Sequence, residues 1–174
     1  MPNLVFRVSI VVDILLLQTV SIVTASAGVL AATIYYILQI RNQSKIRQTD
    51  LVMRLYATYS SNEFQDAWGQ TIDAPIDFES IDDVRDFDNK VVLRAVNQVC
   101  LFFEGVGILL QRKLVDTTMI EDLFGGVIAS TWEKLKTGVI KARQQLKDPT
   151  IYYYFEYLYN EMQKREQQLT SKTA

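Results

Sequence analysis

The sequence predicts an all-α protein: a single N-terminal transmembrane helix followed by a cytoplasmic bundle of about four or five helices. Three observations predict it. No charged residue occurs from Ile14 to Ile40. Beyond that run, apolar residues recur at the three- and four-residue intervals of buried helix faces. No stretch shows the two-residue alternation of a half-buried strand. The chain thus reads as a short N-terminal segment (1–13), a membrane helix (14–40), a helical domain (41–168) and a polar tail (169–174).

The run ILLLQTVSIVTASAGVLAATIYYILQI is 27 residues long, and roughly 20 suffice to cross the hydrocarbon core as a helix. Its serines and threonines can return their hydrogen bonds to the helix backbone. Tyr35 and Tyr36 stand near its end, where aromatic rings favour the interface. Ala25-Ser26-Ala27 resembles a signal-peptide cleavage site. Against cleavage, the apolar run continues well past Ala27, and only Arg7, offset by Asp13, precedes it. Arg41, Lys45, Arg47 and Arg54 crowd the C-terminal flank, so the positive-inside rule puts the N-terminus outside and the helical domain in the cytoplasm of a single-pass cell-membrane protein. Within the span, Ser21, Ala25, Gly28 and Ala32 share one stripe, spaced four, three and four residues apart. Small stripes of this kind let helix backbones approach in lipid, and they are also simply common in membrane helices. Asp13 lies at the outer boundary, where water reaches it.

All but one of the 18 basic and all but one of the 20 acidic residues lie beyond Ile40. The membrane helix is expected to continue towards Ser61, because no proline or glycine interrupts it. Asn62 reads as the N-cap of a short helix ending near Gly69. Ser80 with Asp83 marks the start of a long helix carrying Val84, Phe87, Val99, Phe103, Val106 and Leu110. Gly105 and Gly107 each weaken that helix by about 1 kcal/mol, which points to close packing or a bend. Asp116 or Thr117 caps the next helix, and Gly125-Gly126 is expected to kink or divide it. Asp148-Pro149 reads as the restart of a last helix, aspartate capping and proline in the first turn.

The net charge of −2 argues against a nucleic-acid binder, which needs a clustered basic surface. The chain has no histidine and one cysteine, Cys100. Imidazole acid–base catalysis, histidine–metal ligation, multi-cysteine zinc sites and intramolecular disulfides are thereby excluded. There is no phosphate-binding glycine loop, dinucleotide fingerprint or metalloprotease motif, and no cofactor is expected. Seven carboxylates between Asp73 and Asp88 suggest a hard-cation site, or simply the acidic start of a helix favoured by its dipole. Glu104, within LFFEGVGILL, requires a partner if buried. Arg94, Arg112, Lys136 and Arg143 are candidates for a structural ion pair. Tyr152, Tyr153, Tyr154 and Tyr157 surround Phe155 on the last helix, partly as core and partly as a surface for a partner or lipid headgroups. Cys100 reads as a small buried hydrophobe.

The series FFEGVGILLQRKLVD (102–116), EDLFGGVI (121–128), Trp132-Glu133, Arg143 and YYYFEYL (152–158) resembles an uncharacterised prokaryotic family. Its members pair an N-terminal membrane helix with a helical cytoplasmic domain of unknown function. The resemblance covers roughly residues 35–160 and implies that Phe103-Glu104, Trp132 and Phe155-Glu156 belong to one packed unit. It carries no activity with it. These readings converge on a membrane-anchored helical interaction module, bound to the lipid bilayer and to a protein partner or a copy of itself. A carboxylate-based or divalent-metal enzyme and a small oligomeric channel stand as alternatives.

Overall fold

The computed structural model describes residues 2–76, 78 and 89–173, with side chains described from Leu16 to Gln168 within that set and at Ser171. Among them there are five α-helices and no strand: α1 (Pro2–Tyr59), α2 (Asn62–Asp73), α3 (Lys90–Gln111), α4 (Thr117–Leu146) and α5 (Tyr153–Thr173). The chain divides into two compact units, Met1–Arg47 and Gln48–Ala174.

The first unit is apolar helix. Every described side chain from Leu16 to Arg47 is exposed, with Leu17 at 74% and Leu30 at 66%. The hydroxyls of Ser21, Thr24, Ser26 and Thr33 each donate to the carbonyl four residues earlier, at 2.8 Å. These polar groups are therefore satisfied inside the helix, as a lipid environment demands.

The second unit is a bundle with α3 at its centre, packed on α2 and α5, while α4 also packs on α5. α3 is itself 22 residues long and apolar enough to cross a membrane. Its stripe of Val99, Phe103 and Val106 is instead fully buried against neighbouring helices. An aromatic chain ties the elements together. Tyr59 at the end of α1 lies 5.5 Å from Phe64 and 5.3 Å from Phe124, ring centre to ring centre. Phe64 lies 4.6 Å from Phe102, and Phe103 stacks on Phe155 at 5.0 Å, which Trp132 meets edge-on. Phe103, Trp132 and Phe155 do form one packed unit.

Several boundaries differ from expectation. The cap of α2 is Ser61, whose hydroxyl accepts the Phe64 N–H at 3.2 Å. Gly69 does not stop that helix. Its end is set from α4, where the Lys134 ammonium donates to the carbonyls of Ile72 (2.6 Å) and Ala74 (2.9 Å), supplying orphan acceptors with a cation. α3 starts at Lys90, where the Asn89 side chain accepts the Val92 N–H. The Ser80–Asp83 signal, with Val84 and Phe87, lies outside the described residues. α4 runs unbroken through Gly125-Gly126, because Phe124, Ile128 and Trp132 are buried on both sides of the pair and packing outweighs the propensity cost.

Asp116 does cap α4, accepting the Thr118 N–H at 2.8 Å. The hydrogen bonds from Thr118 hold its carboxyl below the usual 3.8. A carboxylate so held contributes stability above that value and loses it as pH falls through its lower native value. Asp116→Ala is thus expected to cost about 1 kcal/mol at neutral pH. The difference from wild type should shrink well below pH 3.8. Denaturant titrations read through tryptophan fluorescence at both pH values check it.

Candidate functional site

The polar chemistry of the domain gathers where α3 meets the start of α5. Lys147 ends α4 in the left-handed conformation (φ 51°), and Tyr152 precedes α5 in the same region (φ 50°). Asp148 does not cap α5. Its carboxylate closes a local turn, accepting from the Thr150 N–H (2.9 Å) and hydroxyl (2.6 Å), so the helix begins only at Tyr153.

Tyr152 thus occupies the N-cap position, its carbonyl accepting the Glu156 N–H, with no side-chain acceptor to offer the helix. Glu104 supplies one from α3, accepting the Phe155 N–H at 2.7 Å. This corrects the ion-pair expectation: among the described residues, Glu104 meets the positive end of a helix rather than Arg94, Arg112, Lys136 or Arg143. One turn along α3, Gly107 brings the backbones together. A Cβ there would lie 2.0 Å from the Tyr154 carbonyl oxygen. Gly105 has nothing within 4 Å of the equivalent position.

Arg143 completes the junction, donating to the Ile151 carbonyl (2.8 Å) and the Glu156 carboxylate (2.6 Å). The Tyr152 hydroxyl donates to Asn97 Oδ1 at 2.8 Å, and burial raises its pKa, keeping it protonated. Of the tyrosines predicted as partner surface, only Tyr153 is exposed; Tyr152, Tyr154 and Tyr157 are half-buried. Tyr159 bonds Glu133 on α4.

A cavity of about 90 Å³ opens beside this junction, lined by α3, α4, Ile76, Phe78 and Tyr152. Its walls are apolar apart from the Asn97–Tyr152 pair, which satisfy one another. Phe78 seats on Gly138, and the Lys141 ammonium holds its carbonyl at 3.2 Å. Cys100 also faces the cavity. Burial, with the Glu104 carboxylate nearby, pushes its thiol up to about 12, leaving it protonated and unreactive. The native protein is expected to resist alkylation by iodoacetamide at neutral pH and to react within minutes once denatured. Mass spectrometry of the two samples checks this.

No group of three or more acidic or cysteine side chains able to hold a metal occurs among the described residues. Most of the acidic stretch, Asp77 and 79–88, lies outside them. The small stripe Ser21, Ala25, Gly28 and Ala32 is exposed along α1. The lysines of α4 that hold Ile72, Ala74 and Phe78 carried no local sequence signal, since their partners are carbonyls some 60 residues distant.

Fold and junction together define a class: a helical domain, closed by a trans-capped last helix, behind a long apolar N-terminal helix. The chain belongs to the family described as a domain of unknown function (DUF4760), whose model matches residues 22–162. No curated protein and no solved structure matches it.

Proposed function

We propose that the protein is a single-pass membrane-anchored helical module that works by binding protein, either another copy of itself or a larger membrane complex. The observation that carries this is the first unit. From Leu16 to Ile40 every side chain is exposed, and each large apolar side chain kept in water forgoes roughly 1.5–3 kcal/mol. Lipid is the solvent that recovers it. The basic flank of Arg41, Lys45 and Arg47 favours a cytoplasmic helical domain. A non-catalytic role is supported by the absence of histidine, by the protonated buried thiol of Cys100 and by the engagement of Glu104 as a helix cap. A reporter fused after Ala174 should read cytoplasmic, and the protein should stay with membranes through an alkaline carbonate wash. Release into the wash would remove the anchor, and protease digestion of the domain from outside intact cells would reverse the orientation.

A further inference from the structure

We infer that the cavity of about 90 Å³ between α3 and α4 is a binding site for a small uncharged aromatic molecule, about the size of benzene. Leu93, Val96 and Val139 line it with the rings of Phe78 and Tyr152, and among the described residues no charged side chain does. A buried water needs roughly two to four polar partners. The polar side chains here, Asn97 and Tyr152, are bonded to each other at 2.8 Å. The Cys100 thiol, protonated, adds only a weak donor and no charge. Water is therefore poorly held, and an empty cavity forfeits the dispersion contacts of its lining. An apolar occupant recovers them. A charged one would shed its hydration with no counter-charge to meet.

Size and shape narrow the ligand further. An apolar cavity of about 150 Å³ binds benzene. This one is smaller but opens beside the exposed Asn97, so a single ring fills it with an edge at the mouth. Two aromatic rings in the wall favour a ring over a chain, through offset or edge-to-face contact. Packed interiors normally close such voids, and here three features hold the wall in place. At Gly138 a Cβ would lie 2.6 Å from the Phe78 ring, so only glycine leaves that ring its seat. The ammonium groups of Lys134 and Lys141 hold the carbonyls of Ile72, Ala74 and Phe78. Tyr152 keeps a left-handed backbone (φ 50°), a costly conformation for a tyrosine and one that recurs where proteins clamp ligands. A wall fixed in this way is what a preformed site needs.

The test uses the full-length protein in detergent, with isotope-labelled isoleucine, leucine and valine methyl groups read by NMR. Titration with benzene should shift the methyls of Ile76, Val96 and Val139 saturably. Those of Ile120 and Ile128, which do not line the cavity, should stay in place. Ala142→Leu, which puts a larger side chain on the cavity wall, should weaken benzene binding by about ten-fold or more. Leu93→Ala, which enlarges the cavity, should bind propylbenzene several-fold more tightly than the native protein does. That second variant keeps the test decisive where Ala142→Leu fails to fold. Four outcomes overturn the inference: cavity methyls that do not move, a shift of all methyls together without saturation, benzene binding unchanged in folded Ala142→Leu, or no gain for propylbenzene in Leu93→Ala.

Discussion

Gly107→Ala is expected to remove about 2 kcal/mol from the helical domain, because two opposing effects fall on it with unequal weight. Alanine favours a helix interior over glycine by about 1 kcal/mol. The new Cβ, however, would sit 2.0 Å from the Tyr154 carbonyl oxygen and 2.7 Å from its carbon. Both belong to the backbone of Tyr154 in the first turn of α5, so no rotamer change relieves the clash. α5 must move off α3, and the stacking of Phe103 on Phe155 opens with it. Natural domains have only about 5–15 kcal/mol in hand, so the loss is a large share of the total. Gly105→Ala supplies the internal control. Two residues away on the same helix, with nothing within 4 Å, it keeps the propensity gain and should stabilise by up to about 1 kcal/mol. Trp68 and Trp132, both in the domain, report unfolding without interference from the apolar helix. Equal effects at the two glycines would show that α3 and α5 do not approach as described.

Which features were legible beforehand follows from where their causes lie. The uncharged run and the helical spacing are local, and they yielded both the long apolar helix and the all-α domain behind it. Asp116 was legible because its capping partners are two and three residues away. α2 and α5 were misplaced at their ends because their terminal groups are satisfied from other helices. Lys134 reaches back to Ile72 and Ala74, and Glu104 reaches forward to Phe155. The Asp148-Pro149 signal was real chemistry at the wrong level, a local turn and not a helix cap. For Glu104, the requirement for a partner was sound. Counting only side chains as partners led to four basic residues and overlooked the helix terminus, which offers positive potential without appearing as any residue type.

That distinction gives Glu104 its own signature under substitution. Glu104→Ala should cost about 2 kcal/mol, since it removes a hydrogen bond to a charged acceptor and leaves the N–H of a fully buried residue, Phe155, without a partner. Glu104→Gln should cost under about 1 kcal/mol, because a carboxamide oxygen in the same place still accepts the Phe155 N–H and only the charge–dipole part is lost. An ion pair predicts a different ordering. Neutralising one member of a partly buried pair strands the other charge, so Gln would be nearly as damaging as Ala. Arg143→Met separates the two further. Arg143 already serves the Ile151 carbonyl and Glu156, so its loss should add to that of Glu104→Gln rather than mask it. Urea titrations of the three single variants and the Arg143–Glu104 double variant, followed by tryptophan emission in detergent, decide between them. If Gln proved as costly as Ala and Arg143→Met erased the difference, Glu104 would be a salt-bridge residue after all and α5 would begin uncapped.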